Sequence, residues 1–474
     1  MNNKTEGELL YEDLSYKRNN VWEKFSEQDR TDAFEFCKEY IDFLNICKTE
    51  REHIEYSVRE ATTKGFVDID EIMRSGKKLE KGMKIYSASR NKCAVFTVIG
   101  DQNIQAGLKI IGAHVDSPRI DLKPNPLYEK NNLALMETHY YGGIKNYQWV
   151  TVPLALHGVI IKRDGQKLNI SIGESENEPV LCITDLLPHL SKDQMEKKMV
   201  EAIPGENLNV LVGSIPYDDE KVKEKVKLNI LKLLNERYGI YEEDFLSAEL
   251  QLVPAHKAKQ VGIDSSMVGG YGQDDRVCSY TSFKAVLDIN EPQTTCVCIL
   301  IDKEEIGSEG NTGMQSKFFE NFVAKLCKLS GDVYDDTILR TTLQNSKALS
   351  ADVNAAVDPN FEDAFELMNS SYIGNGIVVT KYTGARGKSG ASDANAEFVA
   401  DIRRIFNDNG IIWQTGELGK VEKGGGGTIA KYLANLDMDV VDCGVAVLSM
   451  HSPFEITSKA DIYATYKAFK AFFR

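Results

Sequence analysis

Hydrophobic and polar residues alternate along this chain with two different periods, and the switches between them outline its elements. From Thr31 to about residue 63, apolar positions recur at helical spacing (Phe36, Tyr40, Phe43, Leu44, Cys47), and Thr31 is the expected N-cap. Strand-like runs follow, CAVFTVIG from Cys93 and LKIIGAHVDSP from Leu108. Between about Pro118 and Ala255 the texture changes. There the runs VTVPLALHGVIIK and KLNISIG precede a charged helical stretch, DDEKVKEKVKLNILKLLNERYG. From Gln260 onward strands and helices alternate again, the strands being TTCVCILID, KALSADV, GIVVTKY and DVVDCGVAVLSM. A last helix from about Ser458 puts Ile462, Tyr466, Phe469 and Phe473 on one face, so the terminus is expected to be docked. Strands alternating with helices predict an α/β fold, a mainly parallel sheet covered on both faces. The interruption predicts a second, β-rich domain inserted into the first.

Length agrees with that division, since 474 residues exceed one ordinary domain. A formal charge of -15 argues against a nucleic-acid partner, which needs a basic face. No run approaches the roughly 20 apolar residues that span a bilayer, and the polar start MNNKTEGELLYEDL lacks a secretory core. The nine cysteines include no CxxC pair, which fits a reducing cytoplasm. Cys296 and Cys298 alternate within an apolar run and read as small buried thiols.

The candidate chemistry lies where apolar runs stop. IIGA runs into His114-Val115-Asp116, ILIDK into Glu304-Glu305, KALSA into Asp352 and VAVLSM into His451. A further motif, GQDDR, supplies Asp274 and Asp275. Open α/β sheets carry their sites at the carboxyl ends of the strands, so these motifs should converge on one edge. Two histidines with several carboxylates suit a zinc pair. The spacing of two in His114-x-Asp116 puts both side chains on one face, where Asp116 can accept the free ring N–H of a metal-bound His114. Adjacent Glu304 and Glu305 face opposite ways, so one can bind metal while the other acts as general base on a water. Taken singly, an HxD recurs by chance and an EE pair is usually solvated surface. Their coincidence at strand ends is what points to a two-metal site.

GAHVDSPRIDLKP, GGYGQDDRV, DKEEIGSEG, SADVNAAVDPN and SMHSPFE, in this order and joined by ETHYYGGI and TDLLPHL, resemble the aspartyl aminopeptidase family of dizinc exopeptidases. The resemblance runs from about Tyr86 to the C-terminus. It implies a cytoplasmic enzyme that removes the amino-terminal residue of peptides with two zinc ions per subunit, for which cobalt or manganese could substitute. His114 and Asp352 are implied as terminal ligands, Asp274 as the bridging carboxylate, Glu305 and His451 as further ligands. Glu304 is implied as the general base and Asp116 as the clamp on His114. The implied division is a catalytic domain in two parts, 1–116 and 257–474, around a dimerisation domain at 117–256, with dimers building a dodecamer. His189, in LLPHL, matches a family stretch whose histidine can bind zinc; a structural or oligomer-contact histidine is the alternative. The chain departs from the family pattern at Ala355 and Asp358, where many members carry histidines. Where members that select acidic residues have a lysine, this chain has Thr380, which makes the neighbouring Lys381 the candidate substrate contact, with Arg386 and Lys388 near it. GKVEKGGGGTIAKYL lacks the ending of a phosphate-binding loop and reads as a flexible loop before a helix, near the substrate. The competing functions are another dizinc amidohydrolase, a carboxypeptidase or deacylase, and a non-catalytic binding protein.

Overall fold

The computed structural model describes residues 4–331 and 334–474, leaving the first three residues of the predicted catalytic segment outside. Its largest sheet has nine strands, ordered Val67–Asp68, Lys84–Ser89, Cys93–Val98, Cys296–Ile301, Lys109–His114, Lys347–Ser350, Asp439–Gly444, Ile377–Thr380 and Trp413–Thr415. The four strands from Cys296–Ile301 to Asp439–Gly444 are mutually parallel. Antiparallel pairs join them to the strands outside. The sheet is therefore mixed, with the expected parallel centre.

Alternation in TTCVCILI explains why both faces are covered. Cys296, Cys298 and Leu300 enter one apolar layer, with helices Glu27–Ile46, Gln273–Leu287 and Lys459–Phe473. Val297, Ile299 and Ile301 enter the other, with helices Phe318–Ser330 and Asp336–Gln344. Both cysteines are fully buried, as read from the sequence. In the last helix Ser458 caps the Ala460 N–H, and Ile462, Phe469 and Phe473 are buried.

Residues 119–254 supply all six strands of a second, antiparallel sheet with its own apolar core. A five-stranded sheet unites Lys259–Val261, Met267–Gly270, Glu455–Ser458, Ala446–Leu448 and Asn354–Ala355.

Four boundaries differ from expectation. The first long helix starts at Glu27, because Ser26 and Asp29 cap each other reciprocally, whereas Thr31 bonds the Glu27 carbonyl inside the helix. It also ends at Ile46, and a second reciprocal cap between Thr49 and Glu52 begins a new helix, Glu50–Thr63. The run DVVDCGVAVLSM is two strands, since the chain leaves the large sheet after Gly444 and joins the five-stranded one at Ala446. The charged stretch before residue 239 is helical only from Lys225 to Tyr238.

Candidate metal centre

Strand Lys109–His114 ends on His114, and the strand beside it, Cys296–Ile301, runs into a single turn, Glu304–Ile306. On the other side strand Lys347–Ser350 leads to Asp352. Asp274 arrives from a different direction, at the start of helix Gln273–Leu287. Gly272 turns left-handed there (φ 73°), and a Cβ at that position would overlap the Arg276 guanidinium. The Asp274–Asp275 peptide is cis. His451 lies in the turn after Ala446–Leu448, so it reaches the cluster from the five-stranded sheet and not from an end of the central strands.

The two carboxylate oxygens of Asp274 face different histidines. Oδ1 lies 3.2 Å from His114 Nε2, and Oδ2 lies 3.1 Å from His451 Nε2. Glu305 Oε1 is 3.4 Å from the same His451 nitrogen, and Glu304 Oε2 is 4.0 Å from His114 Nε2. Ligand-type atoms converge in three overlapping groups: His114, Asp274 and Asp352; His114, Glu304 and Glu305; Asp274, Glu305 and His451. The Nδ1 side of each histidine is tied elsewhere. That of His114 lies 3.0 Å from the Asp116 carbonyl and 3.3 Å from its carboxylate; that of His451 is 2.8 Å from the Gly143 carbonyl. These contacts leave both Nε2 atoms turned inward.

Asp116 does more than orient His114. Its carboxylate accepts the Glu304 N–H (3.1 Å), the Glu305 N–H (3.2 Å) and the Tyr141 hydroxyl (2.8 Å). Sequence reasoning missed Tyr141 and also Glu455, whose carboxylate accepts the backbone N–H of both His451 (2.7 Å) and Asp274 (3.2 Å). Glu455 was within reach of the motif SMHSPFE, four residues after His451. Ser117 was missed too; its hydroxyl donates to the Asp274 carbonyl at 2.6 Å.

The electrostatics are lopsided. Asp116, Asp274, Asp275, Glu304, Glu305 and Asp352 crowd together, and among the described residues no lysine or arginine pairs with Asp274, Glu304, Glu305 or Asp352. Burial pushes the Glu304 carboxyl up to about 7, with Asp116 and Asp274 adding to it. Burial likewise raises Glu305 and Asp352 well above the carboxylate range. Burial acts on Asp274 in the same sense, but hydrogen bonds from His114 and His451 outweigh it and hold that carboxyl low. Glu305 Oε1 is buried with no hydrogen-bond partner. Buried carboxylates without countercharge are costly unless a cation joins them, so this donor set fits divalent metal.

Two predicted residues stand apart. His189 is exposed on the turn Pro188–Leu190 and belongs to none of the three ligand groups. Lys381 does not line the adjoining cavity. Its neighbours Thr380 and Tyr382 do, so chain alternation turns Lys381 the other way, where its ammonium meets Asp393 at 2.9 Å. The cavity, about 470 Å³, is lined by Asp274, Glu304, Glu305, Asp352 and His451 on one side and by the glycine-rich loop on another, as that loop's sequence suggested.

Comparison with known proteins shows the family of the chain. The family described as "Aminopeptidase I zinc metalloprotease (M18)" matches residues 43–473. The chain belongs to this family. It is 53% identical over 460 residues to a probable M18 family aminopeptidase 1 of Clostridium acetobutylicum, covering 97% of this chain and 99% of that one. The crystal structure of an M18 aminopeptidase from Thermotoga maritima superposes with a TM-score of 0.93 at 44% identity, over 97% of this chain and all of that one. That of aminopeptidase I from Clostridium acetobutylicum gives 0.92 at 50% identity, with the same coverage. M18 membership makes the chain a zinc metalloaminopeptidase, a hydrolase acting on peptides, and favours neither the other amidohydrolases nor a non-catalytic role. No helix among the described residues is long and apolar enough to cross a membrane.

Proposed function

We propose that this M18 aminopeptidase works with two zinc ions per subunit, held by His114, Asp274, Glu305, Asp352 and His451, with Asp274 bridging them. One observation carries the reading: the two oxygens of Asp274 face two histidines, each about equally close (3.2 and 3.1 Å). When bound, such a pair polarises the scissile carbonyl and acidifies a water. The remaining chemistry belongs to the chain. The aminopeptidase reading places the free amino end of a peptide at this centre, with the scissile carbonyl beside Glu304. Glu304 takes the proton of the attacking water as its oxygen bonds the carbonyl carbon, then delivers that proton to the departing amine nitrogen as the C–N bond breaks. A carboxylate within reach of the water and of the departing nitrogen can serve both transfers in turn. Asp116 keeps the turn in place by holding the Glu304 and Glu305 N–H groups.

The test combines metal analysis with Glu304→Gln. We expect two zinc ions per chain in both proteins, and a kcat lowered by about 10²–10⁴-fold in the variant. Retained activity would assign the base elsewhere; one ion per chain would remove the bridging role of Asp274. Cleavage of amino-acetylated peptides would contradict a requirement for the free amine.

The reading extends to assembly and location. Residues 117–256 serve as an inserted dimerisation domain, with dimers building a dodecamer in the cytoplasm that takes small peptides and no nucleic acid. Supporting this, the segment displays exposed apolar side chains at Leu190 (68%), Met195 (80%) and Val200 (79%), a surface suited to a partner. His189 lies within the same exposed stretch and is proposed as a contact between copies.

A further inference from the structure

The cavity beside the metal centre has a second wall of opposite character. It is formed by the loop after strand Ile377–Thr380 and by the glycine-rich loop before helix Ala430–Ala434, joined by a hydrogen bond from Gly384 N–H to the Gly426 carbonyl. Arg386, Lys388, Lys420 and Lys431 line it, against the carboxylates of Glu417 and Glu422. Glu417 is engaged by the Tyr382 hydroxyl. Lys388 contacts Asp393 at 3.2 Å, whereas Arg386, Lys420 and Lys431 pair with no carboxylate among the described residues.

The glycine run adds backbone donors to this wall. Among the described residues, the N–H groups of Gly425, Gly426 and Gly427 make no hydrogen bond. Two of the four glycines are required by packing. A Cβ at Gly424 would strike the Leu418 carbonyl, and one at Gly425 (φ +125°) the Gly384 carbonyl. The other two are not, for a Cβ at Gly426 or Gly427 would meet nothing closer than 3.9 Å. Their missing side chains leave the wall bare, and bare consecutive N–H groups beside cations make an anion cradle.

A short peptide is a zwitterion, with its amine at one end and its carboxylate at the other. Across the cavity from the metal centre, cations with open N–H groups complement the carboxylate end of that dipole, in a cavity of small-ligand size. We propose that Arg386, Lys431 and the N–H groups of Gly426 and Gly427 form a carboxylate subsite on the leaving-group side. It reads the free carboxyl terminus of a di- or tripeptide, so that the enzyme prefers short peptides. The inference rests on the aminopeptidase reading above. The shared chemistry is a carboxylate, which an acidic amino-terminal side chain could also supply, and the experiment separates the two sources.

Zinc-loaded enzyme is assayed on Leu-Leu and on Leu-Leu amide, and on Asp-Leu amide against Leu-Leu amide. Wild type should show a KM about tenfold lower for the free acid than for the amide, the scale of a charge-assisted contact. Gly427→Ala, which no packing contact opposes, and the double variant Arg386→Gln, Lys431→Gln should each shrink that ratio towards one. Equal KM values for acid and amide in wild type would overturn the subsite. So would variants that lose discrimination between Asp-Leu amide and Leu-Leu amide while keeping the acid-to-amide ratio, because the carboxylate read is then the amino-terminal side chain. Failure of wild type to cleave either leucine peptide would instead strike the aminopeptidase reading itself.

Discussion

Replacing Glu455 by glutamine tests whether the metal centre depends on a residue that need not touch metal. Glu455 is 1% exposed, and its two oxygens take the His451 N–H at 2.7 Å and the Asp274 N–H at 3.2 Å. One side chain thereby fixes two backbones that carry ligand atoms, across 181 residues of sequence from Asp274 to itself. Glutamine preserves the volume but turns one acceptor oxygen into an NH₂ donor. That donor faces an N–H, so one hydrogen bond is lost and a buried donor is stranded, at a cost of about 1–3 kcal/mol. Each 1.4 kcal/mol is tenfold in an equilibrium constant, and the distortion falls on residues whose alignment matters most with metal bound. We therefore expect zinc to bind about tenfold more weakly to Glu455→Gln, measured by competition against a chelator. Zinc should also raise the variant's Tm by less than it raises that of wild type. If zinc affinity stayed within twofold of wild type while the metal-free Tm fell, Glu455 would be a support of the fold only, and its alignment role would be refuted.

Two further outcomes can be measured directly. His157 is buried between Glu52 (2.7 Å) and Glu174 (2.9 Å); burial alone would lower its pKa, but those bonds raise it to about 9. Its stabilising share is therefore complete below about 6.5, the unfolded value, and is lost as pH rises through 9, so Tm should fall less steeply over that interval in His157→Gln; parallel slopes would exclude the pair as its cause. Sedimentation of the native chain should show large assemblies, and replacing Met195 and Val200 by aspartate should shift them to smaller species; wild type that remains monomeric at micromolar concentration would defeat the assembly reading.

Much of this architecture was legible because burial on two faces leaves a period in the sequence. CVCILI reads as a central strand since every residue in it needs an apolar neighbour, and the layers to which Cys298 and Ile299 go are opposite. His114 and Asp352 stood out for a related reason: each is the polar residue at which an apolar run stops. His451 lies in the cluster, but it follows a different strand from the one its sequence suggests. The apolar pattern of DVVDCGVAVLSM continues through Val445, where the backbone changes sheets, and hydropathy alone does not register a change of partner. Thr31 failed as a cap because two residue types competed for one role. Ser26 had the reciprocal partner Asp29, and Thr31 did not.

Tyr141, Ser117 and Glu455 were harder to read for a deeper reason. Each acts through a backbone amide, a backbone carbonyl or a carboxylate contributed by a distant segment, and only Glu455, four residues after His451, also has a partner in its own neighbourhood. Lys381 shows the same limit at the scale of one residue. Lys381 and Lys388 lie seven residues apart in one basic stretch and both contact Asp393, yet only Lys388 lines the cavity. Composition could count the cations there, but only the chain's alternation through Thr380 and Tyr382 decides which of them face a substrate. The total charge of -15 was equally uninformative about the site. Surface carboxylates dominate such a sum, whereas the chemistry follows from the few that are buried without a hydrogen bond, as Glu305 Oε1 is. A net charge describes the field far from the protein. The metal requirement arises from desolvation at short range, where removing water from each added carboxylate raises the need for a cation.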